Sequence, residues 1–392
     1  MTRPSPSPLA TSLLIGLGAI AVPSMVYIAI PIAPLVARDY SVSTPQPWIG
    51  SLPSIVYAAF FLVFGPLSDR LGRRRLLVGG VGALAATTAL TGLASSLVPL
   101  VLFRVLEAVA GATYPPVAWS FLGLVLPPEF RNAGFAIVTT GYFSAGIVGQ
   151  IFGSAVGHSL GWHWVFWILA LVYVLLTLML ARWLPADPPP SGRRMSSAFR
   201  RMPGLIVRPE LAALYAAALT LLLSFVAMYS ALAADMAAHP ASVLRIRLVG
   251  LAGILLSPLL TPLTRRLPIP NAAAWALSAA ACGLILEALA ASSGWLPGVA
   301  IASGLYACAI ALSAPPLIAG VLQRVDADVR GAAASIFTFA LFAGAGLGPL
   351  LALGLQRSGL ASVCWMSALV VLGGAGAVYA TSPRRSRSPQ SD

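Results

Sequence analysis

The sequence predicts an all-α polytopic membrane protein with twelve transmembrane helices. Hydrophobic residues make up 58% of its 392 residues and charged residues only 9%, whereas an ordinary soluble domain carries about 25% charged residues. The charges are clustered, and the apolar stretches between them are about 20 residues long, enough for a helix to cross ~30 Å of hydrocarbon. These observations exclude a soluble globule, a disordered chain, a collagen and an outer-membrane β-barrel.

Dividing the apolar runs at charges and at clusters of Pro and Gly gives twelve predicted spans. The first run follows a polar, Pro-rich start and is too long for the apolar core of a signal peptide, so we expect it to be retained as a helix. The predicted spans cover residues 9–37, 47–67, 76–95, 98–125, 133–156, 161–183, 210–233, 242–263, 271–291, 295–320, 331–355 and 360–380.

One long polar connector separates the first six spans from the last six. It holds Pro188, Pro189, Pro190 and five arginines, a composition typical of a flexible basic linker. The predicted organisation is a cytoplasmic N-terminal tail (1–8), a first six-helix bundle (9–183), the cytoplasmic linker (184–209), a second six-helix bundle (210–380) and a cytoplasmic C-terminal tail (381–392).

The arginines predict how the chain lies in the membrane. All 24 basic residues are Arg, and they concentrate in alternate loops, while the predicted loops on the opposite side carry only Arg38 and Arg357. Because short Arg-rich loops stay on the cytoplasmic side, we expect both termini to be cytoplasmic in a bacterial inner membrane. The net charge of +13 then indicates contact with the lipid bilayer and not with nucleic acid.

The two predicted bundles repeat each other. A shift of 192 residues aligns the loop after span 2 with the loop after span 8, and a shift of 199 residues aligns span 5 with span 11. The aligned positions include Arg73 with Arg265, Arg131 with Arg330, and Gly149 with Gly348. Such repeats predict two parallel halves with a binding site at their interface.

The loop after span 2 carries the most specific motif. Gly72 allows a tight turn, the arginines favour the cytoplasmic lipid surface, and Asp69 can pair with a neighbouring Arg or a helix N-terminus. Contacts of this kind can stabilise one conformation of the protein over another. The residues of this predicted gate are Gly65, Asp69, Arg70, Gly72, Arg73 and Arg74.

This loop resembles the signature of the major facilitator superfamily, Gly-x-Leu-small-Asp-Arg-x-Gly-Arg-Arg/Lys, including Leu67 as its leucine. Together with the twelve spans, the repeat and the basic linker, the resemblance extends over nearly the whole chain. It implies the major facilitator fold, in which two six-helix bundles alternate access to a central site by a rocker-switch motion. It also implies that the loop is a cytoplasmic gate.

Three ionisable residues in the predicted spans are candidates for coupling transport to protons. Arg104 and Glu107 lie one turn apart in span 4, so they share a helix face and can pair. Intramembrane ionisable groups are functional by default, and the alternative is a locked structural ion pair. Compared with the family's helix-4 motif, Glu107 replaces Gln.

Glu287 lies in the middle of span 9, where a neutral structural Glu is the alternative.

Small residues recur every fourth position in span 5, which predicts close packing against a neighbouring helix. They are Gly141, Ala145, Gly149, Gly153 and Gly157. The pattern resembles the helix-5 motif of drug/proton antiporters, although Gln150 and Ser154 replace its Pro and last Gly. Gly348 and Pro349 occupy the repeat-equivalent position of span 11.

Aromatic and polar side chains of the presumed inner helices are candidates for the substrate cavity, because an amphipathic ring suits drug-like solutes. They are Tyr27, Tyr114, Trp119, Tyr142, Gln150, Phe225, Tyr229, Tyr306 and Phe339. If Arg245 or Arg247 faces the cavity, an anionic substrate is favoured.

The sequence holds no phosphate-binding loop and no metal-ligand spacing, so we expect no cofactor, no ATP-driven step and no enzymatic activity. The predicted function is that of a monomeric secondary transporter, which exports small hydrophobic or drug-like compounds in exchange for protons. The alternatives are an importer of a small organic anion or another metabolite, and a membrane sensor or scaffold that does not transport.

Overall fold

A computed structural model of the chain describes residues 7–186, 195–326 and 329–381. It is 89% helical, and no strand occurs in these ranges. Within the described ranges, twelve helical segments are long and apolar enough to cross a membrane. They confirm the predicted fold class, and each lies within a few residues of the predicted span.

The spans are numbered here as the structure has them. They are Pro8–Tyr40, Pro47–Ser68, Arg73–Gly92, Leu97–Val125, Pro128–Leu160, Trp162–Trp183, Pro209–Asp235, Pro240–Pro262, Ile269–Ser292, Leu296–Gln323, Arg330–Gly354 and Gln356–Ala380. Spans 1 and 4 each contain two helices, Pro8–Tyr27 with Ala29–Tyr40 and Leu97–Gly111 with Tyr114–Val125. The helices of spans 2, 8 and 12 are Leu52–Leu71, Pro240–Arg265 and Gly359–Ala380, and span 2 starts with a π-helical turn, Pro47–Ser51.

Proline and glycine set many of the helix boundaries. Pro8, Pro128 and Pro209 are each the first residue of a helix. A backbone N–H at this position has no acceptor within the helix, so proline, which lacks the N–H, costs no hydrogen bond there. Gly72 and Gly161 separate consecutive spans with φ values of 93° and 96°, a conformation that side chains other than glycine rarely adopt.

Spans 1 and 5 pack closely in the first half, and spans 7 and 11 pack in the same way in the second half. A Cβ atom added to Gly149 would lie 2.8 Å from the carbonyl oxygen of Ser24, and one added to Gly348 would lie 2.8 Å from that of Leu223. Both pairs are related by the shift of 199 residues found in the sequence. The two halves therefore repeat in packing as well as in sequence.

The two halves meet along two helix pairs, span 2 with span 11 and span 5 with span 8. Between spans 2 and 11, the rings of Tyr57 and Phe342 cross edge to face with their centroids 5.4 Å apart. Near the start of span 2, Gly346 lies against the backbone of Ser51 and Ile55.

The connector between the halves contains a helix, Met195–Ile206, which differs from the flexible linker that the sequence predicted. Met202 and Leu205 are buried, and the helix contacts span 2 of the first half and spans 7 and 11 of the second. Met202 and Leu205 are three residues apart, so they lie on the same face of the helix and make that face apolar. The three consecutive prolines of the connector lie outside the described residues.

Candidate functional site: the cavity between the halves

A cavity of about 690 Å³ lies between the two halves, within the usual ~300–1,000 Å³ of a site for a drug-sized molecule. Spans 2, 4 and 5 of the first half and spans 7, 10 and 11 of the second half form its wall. The linker helix borders it at one end of the bundle, which we call the linker end. The opposite end is called the far end.

Aromatic side chains from both halves form one side of this wall. Trp119 lies 5.2 Å from Phe135 and 6.0 Å from Tyr142 between ring centroids, and Tyr142 lies 6.4 Å from Phe342 of the second half. The Tyr142 hydroxyl donates a hydrogen bond of 3.2 Å to the Pro115 carbonyl. The rings therefore offer a connected apolar surface that spans both halves.

Three arginines line the cavity, and each comes from a different segment. Arg73 begins span 3, Arg201 belongs to the linker helix and Arg330 begins span 11. Arg201 and Arg330 are exposed and Arg73 is half-buried. Among the lining residues that the structure describes, none is Asp, Glu or His.

Of the nine side chains predicted for the cavity, Trp119 and Tyr142 line it in this conformation. The other seven lie elsewhere: Tyr27, Tyr114, Gln150, Phe225, Tyr229, Tyr306 and Phe339.

Most of these seven are buried inside one half. The Tyr114 hydroxyl donates to the Ile15 carbonyl at 2.8 Å, and the hydroxyls of Tyr229 and Tyr306 bond to serines of neighbouring spans at 3.0 and 2.7 Å. Span 11 presents Thr338, Leu341 and Phe342 to the cavity instead of Phe339. Successive residues of a helix are ~100° apart, so a shift of one position changes the face.

At the far end, a hydrogen bond between buried side chains joins the two halves. Arg247 of span 8 donates from Nη2 to Oε1 of Gln150 in span 5 at 3.0 Å, and the Gln150 amide nitrogen donates to the Gly146 carbonyl at 2.8 Å. Arg247 is 3% exposed and Gln150 is fully buried. Neither Arg247 nor the exposed Arg245 lines the cavity.

Arg104 and Glu107 form a buried ion pair inside the first half, with Nη1 and Oε2 2.6 Å apart and side-chain exposures of 2% and 0%. Arg104 also donates to the carbonyl oxygens of Ile49 and Met25 at 3.1 and 2.8 Å. Glu107 accepts a hydrogen bond of 2.9 Å from Thr88. The pair therefore ties together spans 1, 2, 3 and 4, and it does not line the cavity.

Glu287 is fully buried in the second half, and neither of its carboxyl oxygens has a hydrogen-bond partner among the described residues. Its electrostatic neighbours are Tyr229 of span 7, Tyr306 of span 10 and Cys364 of span 12. By the 199-residue repeat, Glu287 corresponds to Thr88. Each half thus holds a buried acid: Glu107 pairs with a cation, whereas Glu287 has no such partner among the described residues.

The sequence profile of the Major Facilitator Superfamily matches residues 15–349, which is most of the chain. The chain belongs to the Major Facilitator Superfamily. It is therefore a multi-pass membrane protein of a family of transporters for small molecules, and it is not expected to catalyse a reaction. The described residues contain no cluster of three or more His, Cys, Asp or Glu suited to a metal ion.

Several curated members of the superfamily are similar to part of the chain. The uncharacterized MFS-type transporter YceJ of Bacillus subtilis is 31% identical over 160 residues, which is 41% of each protein. The multidrug efflux pump LfrA of Mycolicibacterium smegmatis is 33% identical over 160 residues, or 40% of this chain and 32% of LfrA. The tetracenomycin C resistance and export protein of Streptomyces glaucescens is 31% identical over 168 residues, 42% of this chain and 30% of that protein. Each match thus covers less than half of the relative.

The superfamily loop after span 2 lies at the linker end of the bundle. Gly65 packs against Ser335 of span 11, in the other half. Arg74 donates to the carbonyl oxygens of Ala181 and Leu184 at the end of span 6, where a cation also complements the helix dipole. Arg70 is exposed, and the side chain of Asp69 lies outside the described part of the structure.

The glycines of span 5 that were predicted for helix packing lie at the interface of spans 1 and 5. A Cβ atom on Gly141 would lie 3.0 Å from the Gly16 carbonyl oxygen, and one on Gly153 would lie 3.0 Å from Cγ of Pro31. Gly157 approaches Leu35 in the same way, and Pro349 is buried within span 11.

Sequence reasoning missed the arginines of the cavity and most of its second-half wall. Arg201 and Arg330 were interpreted only as basic residues of cytoplasmic loops, because a net positive loop does not reveal which of its side chains turns inward. The polar positions Ser335 and Thr338 of span 11 were an available signal, since they lie three residues apart on one face.

Proposed function

We propose that this protein is a secondary active transporter that exports small, largely hydrophobic aromatic compounds in exchange for protons. The observation that carries the proposal is the cavity shared by both halves, which reaches the linker end, while Arg247 and Gln150 join the halves at the far end. Alternating access requires a site of this kind, formed at the interface of two repeats. The words efflux and export in the names of two relatives support the direction of transport.

The orientation follows from the arginines. Arg-rich segments lie at the linker end, and such segments stay on the cytoplasmic side. The cavity would then open to the cytoplasm of a bacterial cell, with both termini on that side of the inner membrane, and the state described here would accept a compound for export.

The loop after span 2 would act as the gate. Gly65 already touches span 11 of the opposite half, Gly72 provides the turn, and Arg73 reaches the cavity. Arg74 anchors the same loop to span 6 of its own half. Closure at this end would bring Arg70 and Asp69 toward the second half.

The geometry favours Glu287 over Glu107 as the site that exchanges protons. Glu107 is held by Arg104 and Thr88, so its charge is compensated inside the first half. An ionised carboxylate without partners in hydrocarbon costs several kcal/mol, whereas the neutral acid does not. A proton bound at Glu287 would therefore leave only when the packing around it changes, which couples its release to the conformational cycle.

Flux into proteoliposomes tests the proposal. The vesicles are acidic inside, the membrane potential is clamped at zero with K⁺ and valinomycin, and two radiolabelled probes share one ring system: 2-naphthalenesulfonate and trimethyl(2-naphthylmethyl)ammonium. We expect one or both probes to accumulate, and a protonophore to abolish the accumulation. A folded protein that accumulates neither probe would refute the proposal and favour a sensor or scaffold.

Two variants assign the coupling site. Glu287→Gln should lose accumulation driven by the pH gradient while keeping exchange of probe across the membrane. Glu129→Gln, which changes an exposed acid at the start of span 5, is the matched control and should behave like the wild type. If Glu287→Gln accumulates probe normally, the proton site lies elsewhere.

A further inference from the structure

Two buried ionisable side chains of the second half have unused hydrogen-bonding atoms in this conformation. Both carboxyl oxygens of Glu287 and the Nε atom of Arg247 lack a hydrogen-bond partner among the described residues. Spans 7, 8, 9, 10 and 12, which supply the neighbours of Glu287, are described over their whole length. Buried donors and acceptors without partners are costly, and an ion pair between these two side chains would satisfy both.

Arg247, Tyr229 and Glu287 lie at similar depth in the second half. Each is within about two helical turns of the far-end terminus of its span. Tyr229 is an electrostatic neighbour of both Arg247 and Glu287. Its hydroxyl lies against Gly250, which is one turn from Arg247 on the same face of span 8. Tyr229 therefore connects the surroundings of the arginine with those of the acid.

Hydroxyl groups continue this connection toward Glu287. The Tyr229 hydroxyl bonds to the Ser303 hydroxyl of span 10 at 3.0 Å, and Tyr306, one turn further along span 10, is an electrostatic neighbour of Glu287. A Cβ atom added to Gly283, one turn before Glu287, would lie 2.8 Å from Cα of Tyr306. Hydroxyls both donate and accept, so they can reorient when the charge of Glu287 changes.

We infer that Arg247 is a second coupling residue, which binds Gln150 while Glu287 carries a proton and becomes the counter-ion of Glu287 when that proton passes to water. The inference rests on the proposed function, which assigns proton exchange to Glu287. Arg247 then has two alternative partners, an amide in the other half and a carboxylate in its own half. Loss of the proton would release the bond between the halves, and uptake of a proton would restore it.

The groups that face Glu287 leave Arg247 as its counter-ion. They are the phenols of Tyr229 and Tyr306 and the thiol of Cys364 in span 12, and such groups are ordinarily uncharged near neutral pH. Arg247 is the buried arginine that the described part of the second half contains. The other arginine on this stretch of span 8, Arg245, is exposed.

This exchange of partners has the direction that export driven by protons requires. With Glu287 protonated, Arg247 joins the halves at the far end, and the cavity reaches the linker end. With Glu287 ionised, Arg247 turns to the carboxylate, and the far end can separate to release a compound. A proton taken up from water at the opened far end then returns Arg247 to Gln150. The ionised acid thus has a partner in hydrocarbon, where an unpaired charge is costly.

Infrared titration tests the inference by following the protonation of Glu287 directly. The full-length protein is reconstituted in lipid, and the carboxylic-acid C=O band that Glu287→Gln removes is measured against pH. Arg247→Gln should raise the midpoint pH of this band by at least about one unit, a tenfold change in proton affinity, because the carboxylate loses its counter-ion. Gln150→Leu should lower the midpoint by about one unit, because Arg247 is no longer held across the interface.

Two further variants distinguish charge from packing. Arg247→Lys keeps a cation at this position and should titrate close to the wild type. Arg245→Gln, which removes an exposed Arg two positions away in the same span, is the matched control and should leave the midpoint unchanged. A general loosening around Glu287 would move the midpoints of Arg247→Gln and Gln150→Leu in the same direction, whereas the inference requires opposite directions.

The outcomes separate this inference from the proposed function. An unchanged or lowered midpoint in Arg247→Gln, or shifts of the same sign in Arg247→Gln and Gln150→Leu, would overturn the inference. If Glu287→Gln abolished accumulation driven by the pH gradient while Arg247→Gln kept the wild-type midpoint, export would stand and the role of Arg247 would be refuted. Opposite shifts in a protein that transports neither naphthalene probe would support the inference and refute export.

Discussion

Replacing Gln150 by Leu should open the far end of the transporter. Gln150 is the acceptor for Arg247 across the interface of spans 5 and 8, at 3.0 Å and with both side chains buried. Leu has a similar size but no acceptor. The guanidinium would then lose a hydrogen-bond partner at the interface, and its Nε atom already lacks one among the described residues.

The magnitude follows from the nature of this bond. A hydrogen bond to a charged group contributes ~1.5–3 kcal/mol, and separating spans 5 and 8 at the far end would break this one. Losing it should shift the equilibrium between closed and open far ends by roughly 10- to 150-fold, because each 1.4 kcal/mol is a factor of ten. A closed-to-open ratio of about 100 to 1 would fall to a value between about 10 to 1 and 1 to 1.5.

Distances between spin labels on the two spans would measure this shift. Labels at Ser159→Cys and Ala241→Cys lie at exposed positions of the far end, and the three native cysteines are first replaced by Ala. Gln150→Leu should add a population with a longer distance. Gln150→Glu is the matched control, because it keeps an acceptor for Arg247 and should retain the short distance.

Two results would refute this reasoning. If Gln150→Leu gave the same distance distribution as the parent protein, the hydrogen bond would not hold the far end closed. If Gln150→Glu opened the far end as much as Gln150→Leu, the opening would come from altered packing and not from loss of the acceptor.

Three further predictions concern stability and coupling. Glu107→Gln should lower the free energy of unfolding by ~3 kcal/mol, because it leaves a buried arginine without its carboxylate; an unchanged thermal midpoint in scanning fluorimetry would contradict this. Glu287→Gln should keep or raise that midpoint, since Glu287 has no hydrogen-bond partner among the described residues and Gln is a neutral side chain of equal size; a marked fall would indicate an ionic partner. Gly149→Ala should reduce the yield of monodisperse protein in size-exclusion chromatography, because its Cβ would lie 2.8 Å from the Ser24 oxygen, whereas Gly79→Ala meets no atom within 4 Å and should be tolerated.

The sequence predicted the helical framework because bilayer thickness and backbone hydrogen bonding leave few choices. A span must be an apolar helix of about 20 residues, so its position can be recognised from composition alone. Arginines mark one end of the bundle for a similar reason. The glycine seam of span 5 was also recognisable, since residues four apart lie on one face and their small size permits close approach.

The candidate site was harder to predict, as Phe339 and Phe342 illustrate. Both lie in span 11, but only Phe342 lines the cavity. In a soluble protein the alternation of apolar and polar residues marks the inner face of a helix. In a membrane the lipid-facing surface is as apolar as the interior, so the sequence pattern does not show which face turns inward.

The sequence by itself determined the number and position of the spans, the repeat of the two halves and the basic end of the bundle. Each of these depends on residues that are neighbours along one helix or loop. Only the tertiary structure decided that Arg104 bonds to the backbone of Met25 and Ile49, that Arg247 meets Gln150, and that Glu287 has no hydrogen-bond partner among the described residues. These contacts join residues from separate spans, so they depend on how each helix is rotated about its axis. A helix that is apolar on all sides is compatible with lipid in any rotation, and only its packing against the other helices determines which rotation it adopts.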